Sequence, residues 1–315
     1  MAEAHFTFDP PRSLFIAIEN WVGQIALRDP VGVKNKYDIE VVGFVETPRL
    51  STISDIAVRD DVAYLVGDSQ LVIMTAAYDC YWFPITTATL PFAPQDVELE
   101  GDRLYVGGIS DGELLIEAFN LAALPAVESL GSLALPPALW SVVGDQLLTY
   151  DEQRATVTVT DVADLGAVTT RDVPLPLDPA WQLIGRPQLV DDTLSLVVID
   201  KGVGSIAGLL EPEPTLAWHE LPPYYSPGGS HTAQANTLFV VFTWADADRY
   251  NSSVWVSMRD KPGPLKEIPL YPHYPVHHYY AISDDIVLAF SDYSLIVLDL
   301  TAPEGQVIVR TYPLR

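Results

Sequence analysis

Gln95-Asp96-Val97-Glu98-Leu99-Glu100, then Gly101-Asp102-Arg103, then Leu104-Tyr105-Val106-Gly107-Gly108, and after a second turn Glu113-Leu114-Leu115-Ile116-Glu117-Ala118-Phe119: the reading of this stretch decides the fold. Three short apolar-rich runs separated by Gly/Asp turns are the pattern of consecutive antiparallel strands. The turn and the strand that follows it recur along the chain. The copies are Pro11-Arg12-Ser13-Leu14-Phe15, Asp60-Asp61-Val62-Ala63-Tyr64, Gly101-Asp102-Arg103-Leu104-Tyr105 and Gly144-Asp145-Gln146-Leu147-Leu148. Asp191-Asp192-Thr193-Leu194-Ser195, Ala235-Asn236-Thr237-Leu238-Phe239 and Ser283-Asp284-Asp285-Ile286-Val287 complete the set. Their spacing of roughly 40 to 50 residues is the period of a four-stranded propeller blade.

The expectation is an all-β, seven-bladed β-propeller, with four-stranded antiparallel blades around a central channel, forming one domain over residues 1–315. Third strands are expected at Gln24–Asp29, Leu71–Thr75, Leu114–Phe119, Thr156–Asp161, Ile206–Leu210, Val254–Asp260 and Leu295–Leu300. Fourth strands are expected at Ile39–Val45, Thr87–Leu90, Val168–Val173, Pro264–Leu270 and Val307–Tyr312. His5–Asp9 reads as the first inner strand, so the ring closes by packing between blades one and seven. Helical periodicity is nearly absent, and Ala118–Ala126 is the best short helix candidate, ended by Pro125.

The chain has 315 residues, 49% of them hydrophobic and 19% charged, a globular composition. Its 42 acidic against 17 basic residues give a net charge of −25. Such a field repels phosphate backbones and anionic membranes, which argues against nucleic-acid partners. No run is long and apolar enough for a membrane-spanning helix, so membrane insertion is not expected. The start, Met1-Ala2-Glu3-Ala4-His5, shows no signal peptide, and a cytoplasmic protein is the simplest expectation. Cys80 is the single cysteine, which excludes an internal disulfide.

Third strands such as Leu295-Ile296-Val297-Leu298-Asp299 before Thr301-Ala302-Pro303 resemble those of the LVIVD-repeat propellers. Leu71-Val72-Ile73-Met74, Thr156-Val157-Thr158-Val159-Thr160-Asp161 and the inner strands Asp55-Ile56-Ala57-Val58 and Asp96-Val97-Glu98-Leu99 follow the same pattern. Blades five and six depart from it. The resemblance implies a display or scaffold propeller without a common active site.

In a propeller, loops from fourth to first strands share a face with loops from second to third strands, and binding residues concentrate on such loops. Three of them are rich in aromatic residues toward the C-terminus. They are Pro222–Gly229, Tyr271–Tyr280 and Thr243–Asn251 within blade six. Tyr224, Tyr225, Trp244, Tyr250, Tyr271 and Tyr274 offer large apolar area with a polar tip. Asp246, Asp248 and Arg249 would set specificity at the rim. The expected function is therefore non-enzymatic: a scaffold that holds a protein or peptide partner through the loop face of blades five to seven. The plainer account is that these rings fill gaps between blades.

The alternative is an enzyme at the channel mouth. His5, His231, His277 and His278 fall on inner strands of neighbouring blades, and Asp55 and Asp96 occupy matching positions in blades two and three. His231, His278, Asp55 and Asp96 are the candidate ligands for a channel-bound divalent metal, and no other cofactor is expected. Strand alternation separates His277 from His278. Asp246-Ala247-Asp248 with Asn251 offers oxygen ligands for Ca²⁺ but lacks the glycine and distal glutamate of an EF-hand loop. Gly228-Gly229-Ser230-His231-Thr232 lacks the last glycine of a nucleophile elbow. No phosphate-binding loop or dinucleotide fingerprint occurs. Asn251-Ser252-Ser253 is a glycosylation sequon.

Overall fold

The structure is a computed structural model that describes residues 4–9, 13–28, 38–47, 49–77, 81–198, 201–219, 230–234, 237–246, 249–258, 266–269, 276–281, 286–291, 294–299 and 308–313. Cys80 lies outside them. The described strands form seven four-stranded sheets, each a meander of consecutive strands. The first three are β1 Ala4–Asp9, β2 Ser13–Ile18, β3 Trp21–Arg28, β4 Asp38–Glu46; β5 Asp55–Arg59, β6 Val62–Gly67, β7 Gln70–Ala77, β8 Tyr81–Thr89; β9 Ala93–Glu100, β10 Arg103–Ser110, β11 Glu113–Asn120, β12 Glu128–Leu135. The fourth and fifth are β13 Leu139–Val143, β14 Gln146–Asp151, β15 Thr156–Asp161, β16 Thr169–Pro174; β17 Leu183–Val190, β18 Thr193–Val198, β19 Gly202–Ala207, β20 Thr215–His219. The last two are β21 Ser230–Gln234, β22 Thr237–Asp246, β23 Arg249–Met258, β24 Lys266–Pro269; β25 Val276–Ala281, β26 Ile286–Ser291, β27 Ser294–Asp299, β28 Ile308–Pro313.

The turns explain the rhythm. Asp60 and Asp61 have φ of 52° and 61°, Asp68 and Ser69 have 47° and 56°, and Asp111 and Gly112 have 52° and 83°. Two-residue connections with both residues in the left-handed region are type I′ turns, whose twist matches the flanking strands. Asp and Gly tolerate that region best, so the acidic turns of the sequence are also its hairpin turns.

The chain divides into two compact units: Met1–Ala138 with Val142–Leu147 and Thr160–Thr170, and Leu139–Ser141 with Leu148–Val159 and Arg171–Arg315. In the first unit the second sheet is buried on both faces. Ile56, Ala63, Leu65, Val72, Met74 and Trp82 pack with Ala17 and Val22 of the first sheet. Ala57, Tyr64, Val66, Leu71 and Ile73 pack with Val97, Leu104, Val106 and Phe119 of the third. A strand covered on both sides needs a continuous apolar run, which is why Ala63-Tyr64-Leu65-Val66 does not alternate with polar residues. In the second unit all six residues of β18 are buried, as are Val287–Ala289 and Ile296–Leu298.

Neighbouring sheets of the first unit are tied at two levels. Arg59, at the end of β5, donates to Gly101 O and sits 3.9 Å from Asp102 Oδ1. Arg103 donates to Asp145 Oδ1 at 3.1 Å, to Val162 O at 2.9 Å and, through Nη2, to Ala163 O at 3.0 Å. In both cases an arginine of one sheet grips the first hairpin turn of the next. Close approach sets two glycines. A Cβ on Gly67 would stand 2.0 Å from Thr52 O, and one on Gly108 would stand 2.2 Å from Ala93 O. Gly108 also marks a register shift against β9.

Three expectations change. Ala118–Ala126 is not a helix: β11 runs to Asn120 and only Leu121–Ala123 turns, as a 3-10 helix. Ala118 and Phe119 are buried between β10 and β12, and sheet packing outweighs helix propensity there. The Asn120 carboxamide accepts from Ala122 N at 3.0 Å and caps the turn. The third strand of the fifth sheet is β19, ending at Ala207 and not at Leu210, because Gly208 at φ 73° turns the chain. Thr243–Asn251 is mostly strand and not loop, since β22 reaches Asp246 and β23 begins at Arg249.

Candidate functional site

The β22–β23 hairpin holds the described part of the expected binding surface. Its strands pair over ten positions, from Thr237 opposite Met258 to Asp246 opposite Arg249. Described residues of β21 pair as far as Val241, and those of β24 as far as Ser253. The pairing of Thr243–Asp246 with Arg249–Ser252 forms the remainder of the described hairpin, the β22–β23 ribbon.

Four of the nine expected binding residues lie on this ribbon. Trp244 stands opposite Asn251, Tyr250 opposite Ala245, and Asp246 opposite Arg249. Asp246 opposite Arg249 is the last described pair of the hairpin, so an arginine position stands across from the acid invoked for Ca²⁺. Asn251, the sequon residue, is a strand residue. Tyr224, Tyr225, Asp248, Tyr271 and Tyr274 lie outside the described residues.

The metal candidates divide between the units. His231 is on β21 opposite Val240, and His278 is on β25 opposite Phe290. A register shift between Val276 and His278 interrupts the strict alternation used above to separate His277 from His278. Among the described residues no group of three His, Cys, Asp or Glu is placed to hold a metal ion.

Asp55 and Asp96 do occupy matching positions, opposite Val66 in β6 and Gly107 in β10. Their environments differ. The Asp55 carboxylate accepts from Val97 N of the next sheet at 2.9 Å, while Asp96 is exposed. Burial pushes the Asp55 carboxyl up to about 7, against the pull of the Val97 and Ile56 amides, and Asp96 adds repulsion. Glu98 repeats the arrangement one sheet on, accepting from Val142 N at 2.7 Å. First strands are sheet edges with amides that need acceptors, and these two acids supply them across the sheet boundary. Sequence reading missed this bond, because its partner is 42 residues away.

A second feature escaped the sequence reading. Trp181 meets Trp218 edge to face at 5.1 Å, and Lys201 Nζ lies 5.9 Å from the Trp181 ring. Gly204 makes space for Trp218 on β20, where a Cβ would meet the ring at 3.2 Å.

Neither a family model nor a curated protein sequence matches the chain. Solved structures do. Hsv2 from Kluyveromyces lactis is similar at 12% identity and a TM-score of 0.62, over 99% of this chain and 97% of that one. Chaetomium thermophilum Sqt1 is similar at 11% identity and a TM-score of 0.53, over 99% of this chain and 86% of that one. A functionally unknown Desulfotomaculum acetoxidans protein is similar at 10% identity and a TM-score of 0.55, over 94% and 96% of the two chains. Hsv2 and Sqt1 are β-propellers. The fold is a β-propeller. The seven sheets fit seven blades. Among the described residues no helix is long and apolar enough to cross a membrane.

Proposed function

We propose that residues 1–315 are one propeller domain, non-enzymatic and intracellular, that holds a protein or peptide partner through the loops of blades five to seven. The β22–β23 ribbon carries this reading. The hairpin register brings Trp244, Asp246, Arg249 and Tyr250 together at its last described positions, Asp246 opposite Arg249 and Tyr250 opposite Ala245. Tyr224, Tyr225, Asp248, Tyr271 and Tyr274 complete the surface. Aromatic residues beside an opposed acid and base suit a protein contact, with apolar anchors and a polar rim. The net charge of −25 selects a basic partner surface over nucleic acid or anionic lipid. The similarity of third strands to LVIVD repeats agrees with a display role.

The test replaces Trp244 and Tyr250 by Ala in one variant and Tyr224 and Tyr274 by Ala in another. Partner capture from native extract should be lost in both while the melting temperature stays within a few degrees. A large fall in melting temperature would show that these rings are packing between blades.

A second reading, an enzyme at the channel mouth, draws on the raised pKa of Asp55, since catalytic carboxyls are tuned toward neutrality by burial. Elemental analysis of protein purified without a metal-affinity step decides its metal-dependent form. Stoichiometric metal lost on His231→Ala with His278→Ala supports it, and metal-free protein rejects it.

A further inference from the structure

Each sheet ends in an outer strand whose far edge has no ladder partner in that sheet, and such edges invite pairing with other chains unless guarded. Five of the seven are guarded by a charge or a proline inside the strand: Glu40 in β4, Pro84 in β8, Arg171 in β16, Glu267 in β24 and Arg310 in β28. β20 has only five residues and ends on the buried His219. β12 is different. Its sequence, Glu128-Ser129-Leu130-Gly131-Ser132-Leu133-Ala134-Leu135, has no proline and no charge after its first residue. None of its eight residues is buried, and Leu130 is 41% exposed.

The surroundings of this edge are acidic. No Lys, Arg or His occurs from Leu104 to Gln153. Glu113 and Glu117 lie on the adjoining β11, and Glu128 opens β12 itself. Leu165 packs over Gly131, which brings the exposed Asp164 alongside. Glu128 accepts from the neutral Asn120 carboxamide at 3.2 Å, so its charge is not cancelled by that bond. Arg103, the cation just before this interval, has its guanidinium on Asp145 and on the Val162 and Ala163 carbonyls.

We infer that β12 is a docking edge for an extended, lysine- or arginine-flanked segment of a partner protein, which joins the third sheet as a fifth strand. Backbone pairing along an unguarded edge supplies the attachment, and the acidic rim selects basic flanks. A second copy of the chain fits poorly, because both copies would bring the same acidic rim within screening distance. This site is separate from the β22–β23 ribbon, and the two stand or fall independently.

The probe is a fluorescein-labelled peptide of alternating valine and threonine flanked by lysine pairs, titrated with the full chain at low salt and followed by anisotropy. Two control peptides carry glutamate in place of lysine, or N-methyl groups on alternate backbone nitrogens. Binding should weaken by about tenfold or more for both controls and for a Ser132→Lys/Ala134→Lys variant. Glu113→Gln with Glu128→Gln, which leaves the strand sequence otherwise intact, should weaken it severalfold. Trp244→Ala with Tyr250→Ala should leave it unchanged. The inference is overturned if the lysine peptide does not bind, or if it binds the Ser132→Lys/Ala134→Lys variant equally well. Equal binding of the N-methylated peptide would reduce the effect to charge attraction alone. Self-association of the native chain, abolished by Ser132→Lys/Ala134→Lys in sedimentation, would assign the edge to a second copy instead.

Discussion

Asp55→Asn should change the pH dependence of stability more than stability itself. The native carboxyl titrates at about 7 against an ordinary value of 3.8, chiefly because it is buried. A folded-state value above the unfolded one means that the native protein holds a proton that the unfolded chain has released. The stabilising contribution is then fully present below about pH 4 and is lost as the pH rises through 7. The gap between 3.8 and about 7, at 1.36 kcal/mol per pH unit, sets a ceiling of about 4 kcal/mol. Asp55 retains part of its surface, so the realised figure falls below that ceiling. Asn has one acceptor oxygen for the Val97 and Ile56 amides, and the substitution loses about 1 kcal/mol of bonding at every pH. Urea denaturation at intervals from pH 4 to pH 8.5, on both proteins, isolates the difference from the background of 42 acidic residues. Relative to native, the variant should be slightly less stable at pH 4, equal at about pH 4.5, and increasingly more stable up to about pH 7. A difference that stays constant across the range would refute the buried-carboxyl argument.

Other substitutions test the ties between sheets. Arg103→Ala removes a charge-assisted contact to Asp145 and two to carbonyls, and should cost about 2–3 kcal/mol in urea denaturation, with Arg103→Lys intermediate. Glu98→Gln keeps an acceptor for Val142 N and should be nearly neutral, whereas Glu98→Ala should cost about 1–3 kcal/mol. Gly67→Ala and Gly108→Ala force a methyl against backbone oxygens of Thr52 and Ala93, so each should lower stability by more than about 3 kcal/mol or prevent folding. Leu65→Ala, at a fully buried position, should cost about 2–5 kcal/mol with no change in binding by the blade five-to-seven loops.

Much of the architecture was readable because it is local. Type I′ turns require particular residues at two positions, and Asp60-Asp61, Asp68-Ser69 and Asp111-Gly112 announce them. β15 was found with both its boundaries, Thr156–Asp161. The misreadings share one cause. Ala118–Ala126 is rich in Ala and Leu, good helix formers, yet Ala118–Asn120 ends β11, with Phe119 packed against the neighbouring sheet. Thr243–Asn251 looked like a loop because its Asp, Arg and Asn are not strand formers, yet the hairpin register carries through them.

The candidate site was legible only as composition. Clustered aromatics could be counted, but that four of the nine expected residues share one hairpin follows from the pairing of β22 with β23. The roles of individual acids were not legible at all. Asp55 and Asp96 look alike in sequence, and one is partly buried and accepts from an amide of the next sheet while the other is exposed. Asp102 and Asp145 read as turn residues, and the arginines that hold them come from the preceding sheet.

By itself, then, the sequence determined the strand rhythm, the hairpin turns and the acidic field, because each depends on neighbouring residues or on a sum over the chain. Tertiary structure decided which carboxyl bonds an amide of the next sheet, which turn is clasped and which edge is unguarded. Those properties depend on burial and on partners 42 or 59 residues away, and no local pattern carries that information.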